Sequence, residues 1–265
     1  MQLGKNNLYL SMRYDLNVPW PSQAAQPVKT AQKALVLLHE LGYTAVALNF
    51  IVAGKLKGVS SPFTDDVMHE LQRSVPGVRI LKRLTLVLDE QTQNQSFASI
   101  VSQFDIVAVQ PQTEKTLQSA ATALDIDLIS IDMTARTPFY LRHKLACAAV
   151  SRGVRFEICY GSSLDGEGRR YTVSNAIAII RATRGRGIVL SSGAHQLANF
   201  RSPFDAINLL TVWGLKSSAA RDAIGVTARQ AAVNGLLRAK SAKQAVIATV
   251  EDAESGRPTK VLRVA

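Results

Sequence analysis

The chain of 265 residues has little of what holds secreted or metal-dependent small domains together. It contains two cysteines, Cys147 and Cys159, and their spacing is not CxxC. Such a pair predicts neither a zinc site nor a disulfide framework, so we interpret both as buried thiols in a reducing compartment. No apolar run approaches the roughly 18 residues of a membrane span, and no basic, apolar leader follows Met1. We therefore expect a protein that is soluble, is not secreted and has no membrane partner.

Two other scarcities restrict the function. Aromatic residues make up 6% of the chain, which disfavours a base-stacking platform of the RRM type. No glycine-rich phosphate turn follows the first predicted strand, which disfavours a doubly wound nucleotide-binding sheet. The larger aromatic side chains are interpreted as core or interface residues rather than base stackers: Trp20, Phe63, Tyr140, Tyr160 and Trp213.

What the chain does contain is one repeated rhythm of apolar runs and helical segments. Within Asp105 to Asp132, two apolar runs flank a segment with helical spacing. Two buried strands joined by one helix lie parallel, because the crossover is too long for a hairpin. The same alternation predicts strands at 14–18, 44–51, 78–88, 105–109, 128–131, 155–160 and 187–192.

Parallel strands in sequential order favour an α/β fold of the TIM-barrel type, which commonly takes about 250 residues. We predict about seven strands and an added C-terminal helical layer at 204–215, 217–224 and 227–239. One domain is expected over residues 1–250, followed by a flexible tail over residues 251–265. Further helices are predicted at 28–41, 65–74, 94–102, 139–152 and 171–184.

Two local patterns give sharper structural expectations. Thr137 and Pro138 have the form of an N-cap and a first-turn proline, which predicts that a helix begins at Phe139. Lys82 and Arg83 place charges inside the third strand. Such charges are unusual in a barrel strand and predict a bulge or a break there.

The charge of the chain is strongly asymmetric. The formal net charge is +11, and residues 1–135 carry 11 Lys and Arg against 12 Asp and Glu, so the remainder carries 20 against 8. Much of this excess is arginine, which binds phosphate bidentately, so the pattern favours a nucleic acid as partner. The alternative is an ordinary solubilising surface.

The candidate RNA contacts are basic residues at predicted loops, helix starts and strand exits. Their contacts with phosphate would position an RNA without reading its sequence. For each one, the alternative is an ordinary surface or intramolecular ion pair. The candidates are Lys82, Arg83, Arg136, Arg142, Lys144, Arg169, Arg170, Arg184, Arg186 and Arg201.

Carboxylates at strand ends offer a second hypothesis, in which the chain is itself an enzyme. Asp15, Asp89, Asp132 and Glu157 lie in or at the end of predicted strands, where a barrel enzyme has its acid and base. We favour a structural role, in which inward polar groups bond to one another or to Arg83 and Arg155. We predict no catalytic residue, no metal site and no cofactor in this chain.

Several segments in collinear order carry a family resemblance, over roughly Asp15 to Gly235. The segments that carry it are LGYTAVALNFIV (41–52), RLTLVLDE (83–90), DIVAVQPQTEK (105–115) with LDIDLISID (124–132), RRYTVSNA (169–176), and GIVLSS (187–192) with RSPFDAINL (201–209). In these segments the chain resembles the TIM-barrel (thirty-kilodalton) protein subunit of eukaryotic nuclear ribonuclease P, and the opening DLNVPWP looks like its fungal branch.

The resemblance implies a non-catalytic subunit of ribonuclease P and ribonuclease MRP in the nucleus and nucleolus. There the RNA subunit removes the 5′ leader of precursor tRNA, and the MRP particle processes precursor rRNA. The implied partners are both RNAs, other protein subunits including a small α/β one, and precursor tRNA indirectly.

The family's barrel is similar to the polymerase and histidinol phosphatase (PHP) class of metal phosphoesterases, which gives the alternative function. That class has an HxH pair after its first strand, where this chain reads Asp15-Leu16-Asn17. Of the four histidines, His195 alone is predicted where a barrel active site would place it.

Overall fold

Seven parallel strands in chain order form the centre of the computed structural model, which describes residues 12–54, 59–89, 98–164, 168–242 and 245–246. Each strand pairs in parallel with the next, as the repeated rhythm predicts. The predicted tail at 251–265 lies outside the described residues. The strands are β1 (Tyr14–Pro19), β2 (Ala45–Ala53), β3 (Arg79–Leu88), β4 (Ile106–Pro111), β5 (Leu128–Ser130), β6 (Arg155–Cys159) and β7 (Ile188–Ser191).

Helices connect these strands, and three more follow the last one. The first six are α1 (Pro27–Glu40), α2 (Asp65–Ser74), α3 (Ala98–Val101), α4 (Glu114–Thr122), α5 (His143–Ser151) and α6 (Arg169–Thr183). The predicted C-terminal layer is confirmed as α7 (Pro203–Val212), α8 (Ser217–Ile224) and α9 (Val226–Lys240). A short antiparallel pair follows, β8 (Ser241–Ala242) and β9 (Ala245–Val246). None of the described helices is both long enough and apolar enough to span a membrane.

The first strand, β1, and the last strand of the sheet, β7, lie side by side without a continuous ladder of backbone hydrogen bonds. The Gly193 N–H donates to the Asn17 carbonyl at 2.9 Å. The Ser192 N–H donates to Asp15 Oδ1 at 3.0 Å, and the Ser192 hydroxyl donates to the Asn17 carbonyl at 3.1 Å. These few bonds bring the two edges together, so the sheet is a nearly closed barrel.

The interior of the barrel has an apolar layer at the end where the strands begin. Its strand residues pack against three alanines of α9, so this helix closes that end of the barrel. Arg238 of α9 is anchored to the buried Asp127 by an ion pair of 2.9 Å. The layer consists of Tyr14, Leu16, Ala45, Ala47, Leu81, Ile106, Ala108, Leu128 and Val189, with Ala228, Ala231 and Ala232 from α9.

The expected start of the fifth helix at Phe139 is wrong. Helix α5 begins at His143, because Thr137 does not cap a helix. Its hydroxyl instead donates to Asn175 Oδ1 on α6 at 3.0 Å, which holds residues 131–142 as a loop. A local capping pattern is overridden here by a contact 38 residues away in sequence.

The expected bulge or break in the third strand is also wrong. Strand β3 pairs with β2 in unbroken register over its length, and the irregularity of the sheet falls in β1, between Asp15 and Val18. Arg83 points into the barrel and Lys82 points away from it, where its Nζ lies 3.7 Å from Asp65. Both charges are therefore accommodated without bending the strand.

We expect Gly235→Ala to destabilise the protein, although Ala is ordinarily favoured over Gly in a helix by about 1 kcal/mol. Gly235 is buried in α9, and a Cβ there would overlap the backbone carbonyl oxygen of Asp105. Moving a helix off a strand end costs about 1–3 kcal/mol, as overpacking does. Urea denaturation should show this loss, with Val233→Ala on the exposed side of α9 as control. A G235A protein as stable as the wild type would contradict the close approach.

Candidate nucleic-acid interface

The upper half of the barrel interior is polar and is organised around one buried ion pair. Arg83 of β3 and Glu157 of β6 are both 0% exposed. Nη1 of Arg83 lies 2.5 Å from Oε1 of Glu157, and Nη2 lies 2.6 Å from Oε2. This two-pronged geometry is the strongest form of an arginine–carboxylate contact.

The remaining bonding capacity of Glu157 is filled by hydroxyl and amide donors. Ser191 donates to Oε1 at 2.7 Å, and Ser130 and Asn17 donate to Oε2 at 2.6 and 3.1 Å. Burial by itself raises the pKa of Glu157, but the charge and hydrogen bonds of Arg83 outweigh it and lower the pKa to about 2. The carboxylate is therefore ionised and saturated.

The remaining hydrogen-bond donors of the Arg83 guanidinium are also satisfied. Its Nη1 donates to the Leu16 carbonyl at 2.7 Å, and its Nε donates to the Thr85 hydroxyl at 3.1 Å. The Thr85 hydroxyl donates in turn to Asn49, whose side-chain amide donates to Asn17. The prediction that Arg83 contacts RNA is therefore wrong, because the side chain is fully buried and saturated.

The arrangement fits the structural role predicted for the carboxylates, with Glu157 paired to Arg83. The Asp132 carboxylate accepts from Thr134 in the loop after β5. His195 is exposed in the loop after β7, as its position predicts. Within the described ranges, no three His, Cys, Asp or Glu side chains are grouped so that they could hold a metal ion. The central carboxylate of the mouth, Glu157, is already bonded to Arg83 and has no free oxygen for a metal ion.

Asp15 is a second buried carboxylate inside the barrel. Its Oδ1 accepts from the backbone of Asn17 and of Ser192, whereas its buried Oδ2 has no partner among the described residues. Burial raises the pKa of Asp15 to about 6, against the opposing effect of those hydrogen bonds. The charge of Asp15 is thus disfavoured beside the ionised Glu157.

Seven of the ten predicted RNA contacts lie on or beside α5 and α6, and all seven are exposed. Arg181 of α6 joins them. The sequence does not predict it, because its neighbours in the helix are apolar and do not indicate an exposed position. The loop 133–142, α5 and α6 contain no Asp or Glu. We call this surface the basic α6 face; it comprises Arg136, Arg142, Lys144, Arg169, Arg170, Arg181, Arg184 and Arg186.

Three members of this face have partners that weaken their claim to a phosphate. Arg142 forms an exposed ion pair with Glu114 at 3.0 Å, which contributes little stability. Arg169 donates to the Ser163 carbonyl at 3.0 Å, and Arg170 lies against the ring of Tyr171 at 4.6 Å. The side chains of the other five have no hydrogen bond or ion pair within the part of the chain that the structure describes.

Two of the ten predicted contacts lie elsewhere without being buried. Lys82 is half-buried and reaches Asp65. Arg201 is half-buried too, and its Nη1 donates to the carbonyls of Ala198 and Phe200 at 2.7 and 2.8 Å. Neither is brought to the basic α6 face, and neither side chain is free.

The cysteines and aromatic residues give a mixed outcome. Cys147 and Cys159 are free thiols but half-buried rather than buried. Phe63, Tyr160 and Trp213 are core residues, as predicted. Tyr140 is not a core residue, since it is 80% exposed in the loop before α5.

We expect the Arg83–Glu157 pair to show strong thermodynamic coupling. Removing one partner leaves the other charge buried and uncompensated, which costs about 3–5 kcal/mol. Arg83→Met and Glu157→Gln should each lower the free energy of unfolding by that amount. The double variant should lose clearly less than the sum of the two, as a double-mutant cycle in urea would show. Additive losses would contradict the direct pairing.

Stability should also depend on Asp15 between pH 4 and pH 6. Because the pKa of Asp15 is raised from 3.8 to about 6 on folding, the folded state keeps a proton that the unfolded state has lost in this range. The contribution of Asp15 to the free energy of unfolding should therefore fall as the pH rises, by about 3 kcal/mol at most, since one pKa unit is ~1.4 kcal/mol.

The test compares the pH dependence of stability in Asp15→Asn with that of the wild type. The substitution should remove the downward slope, so that the variant gains stability relative to the wild type above pH 6. Asp222→Asn, at an exposed position on α8, is the control. Parallel pH profiles for the wild type and D15N would show that the Asp15 pKa is not raised.

Comparisons with known proteins agree with this architecture. Residues 12–240 match the family described as RNase P subunit p30. The probable ribonuclease P protein subunit 3 of Schizosaccharomyces pombe is 39% identical over 220 residues, covering 82% of this chain and 91% of that protein. The ribonuclease P/MRP protein subunit RPP1 of Saccharomyces cerevisiae is 38% identical over 253 residues, covering 89% and 85%.

Two solved structures share the fold at low identity. A chain in the cryo-EM structure of archaeal ribonuclease P with mature tRNA has a TM-score of 0.65 at 18% identity, covering 87% of this chain and 95% of that one. Histidinol phosphate phosphatase of Lactococcus lactis, crystallised with zinc, L-histidinol and phosphate, has a TM-score of 0.51 at 13% identity, covering 77% and 94%. Identities this low speak for the barrel fold alone.

Residues 12–240 match this family, and two of its relatives are 38–39% identical to the chain over most of their length. The chain therefore belongs to the RNase P subunit p30 family.

Proposed function

We propose that this chain is a protein subunit of ribonuclease P and ribonuclease MRP that holds the RNA of the particle through the basic α6 face. The observation that carries this proposal is the group of exposed cations on and beside α5 and α6, two helices that contain no Asp or Glu. The names of the relatives place them in ribonuclease P or MRP. In this role the RNA cleaves the 5′ leader of precursor tRNA, and the MRP particle processes precursor rRNA.

The geometry of the face suits contacts with a phosphate backbone. Helix α6 has 15 residues and therefore extends roughly 22 Å, with arginines at both ends. Arg184 ends the helix with a left-handed φ of 54°, and Arg186 follows in the same turn. Cations spread over this length would contact several phosphates and would fix the position of an RNA without reading its bases.

Protein neighbours are part of the same proposal. On α7, Phe204 and Val212 are 61% and 81% exposed, one on each side of the exposed Asn208 at helical spacing. These two apolar side chains lie on a different helix from the basic α6 face. They suit contact with another protein subunit of the particle, for which a small α/β protein is the candidate, while the basic α6 face contacts RNA.

The site of action follows from the proposed role. A subunit of these particles would act in the nucleus and nucleolus, where we place this chain. Microscopy of the tagged chain in its own cell, beside a marker of the nucleolus, tests this placement.

Neutralising the basic α6 face should weaken RNA binding and its dependence on salt. We expect the triple variant Arg136→Ala, Arg181→Ala, Arg184→Ala to bind the ribonuclease P RNA more weakly than the wild type. Its slope of log affinity against log salt should be less steep by about two, since each phosphate contact contributes roughly 0.7–0.9. The control is Lys29→Ala, Lys33→Ala, Arg73→Ala, which removes three exposed cations from α1 and α2.

Equal slopes for the two triple variants would contradict the assignment of RNA binding to this face. Hydrolysis of a phosphodiester by the purified chain in the absence of RNA would favour the phosphoesterase alternative instead. Both results come from the same protein preparations, so one experiment separates the two functions.

A further inference from the structure

A groove of about 530 Å³ lies on the basic α6 face, between the loop 131–142 and α6. Its volume is within the range of about 300–1,000 Å³ that is typical of ligand sites. No Asp or Glu lines it. The side chains that matter to the argument are Arg136, Thr137, Tyr140, His143, Ser174 and Arg181.

The wall of the groove is held in place by hydrogen bonds from α6 to the loop. The buried Asn175 side chain donates to the carbonyls of Asp132 and Ala135 at 3.0 and 2.9 Å. The Thr172 hydroxyl donates to the Met133 carbonyl at 3.0 Å. At the other end of the groove, Nδ1 of His143 lies 2.7 Å from the Ala182 carbonyl. Ala182 is roughly 10 Å from Asn175 along the axis of α6.

This bonding fixes the course of the loop before any ligand is bound. A preformed site loses less conformational entropy on binding than a mobile loop does. The floor of the groove along α6 includes Ser174 and Ala178, whose small side chains leave room above the helix. The groove is therefore a built feature of the fold and not a gap between mobile side chains.

Two kinds of side chain in the groove remain without a partner among the described residues. Arg136 and Arg181 are exposed cations that flank it from the loop and from the helix. Tyr140 is 80% exposed, although Phe139 beside it packs against the core. Tyr140 and the two arginines line the same groove, so together they suit a ligand that has both a flat apolar face and negative charge.

A nucleotide has both properties. We propose that this groove binds one unpaired nucleotide of a single-stranded RNA segment, with its base stacked on Tyr140 and the flanking phosphates bound by Arg136 and Arg181. The inference rests on the proposed function and names the RNA element that the basic α6 face receives. A base inside a duplex has no free face for the ring, so the groove selects single strands.

The test uses the full chain and two RNA probes, a single-stranded oligonucleotide and a blunt-ended duplex of the same composition, with affinities measured by fluorescence anisotropy. Tyr140→Ala should weaken binding of the single strand about tenfold, the effect typical of losing one stacked base. It should leave the duplex affinity and the salt slope unchanged, because no charge is removed. Tyr140→Phe should keep wild-type affinity, since the ring remains.

The arginines give the complementary result. Arg136→Ala and Arg181→Ala should each reduce the salt slope for the single strand by about 0.7, because each removes one phosphate contact. Val36→Ala and Arg73→Ala, at exposed positions on other helices, are the controls and should change neither the affinity nor the slope by a measurable amount.

The outcomes separate this inference from the proposed function. If Y140A binds the single strand as tightly as Y140F does while the triple arginine variant still loses affinity, the nucleotide site is refuted and the RNA role of the face stands. If the wild type shows no salt-dependent binding of either probe or of the ribonuclease P RNA, both fail. Binding of an acidic peptide in the groove in preference to the single strand would overturn the inference in favour of a protein ligand.

Discussion

The ion pair between Arg83 and Glu157 is the contact on which the barrel interior depends. Two fully buried charges would be very costly apart, and their mutual attraction offsets that cost only when the remaining donors and acceptors are also satisfied. Here five donor contacts reach the two oxygens of Glu157. The chain of side chains from Arg83 through Thr85 and Asn49 to Asn17 connects the first three strands, and Ser130 and Ser191 connect the fifth and seventh.

This network explains how a seven-stranded sheet closes with so few bonds between its edges. Asn17 and Ser191 belong to the two edge strands, and both donate to the same carboxylate on β6. The edges are therefore joined through the interior as well as through Gly193 and Ser192. Because the network consists of long-range contacts, it forms only when the whole sheet is in register, which couples ring closure to correct folding.

Sequence patterns were sufficient for the strands and most helices because those signals are local. The repeated apolar runs lie within the elements that they define. The failures have non-local causes. The sequence predicts a break of β3 at Arg83 and an RNA contact by this residue, because its partner Glu157 lies 74 residues away. The sequence predicts a helix cap at Thr137, because the competing hydrogen bond to Asn175 forms only where α6 packs beside the loop. For the same reason the sequence predicted most cations of the basic α6 face but not the groove that Arg181 and Tyr140 line.

Charged side chains at the mouth of the barrel and on its outer helices differ in whether they already have partners. At the mouth, where barrel enzymes place acids and bases, Glu157 has no free lone pair to offer to a proton or a metal, since carboxylates have about four acceptor sites. On the outside, arginines such as Arg136 and Arg181 have no ion-pair partner among the described residues, which costs little in water and keeps them available for phosphate. Inside the barrel, Arg83 forms a permanent and saturated contact with Glu157. The exposed arginines outside can instead form exchangeable contacts with phosphate. The buried Arg83 stabilises the barrel interior, and the exposed arginines of α6 remain on the outside, where a phosphate can reach them.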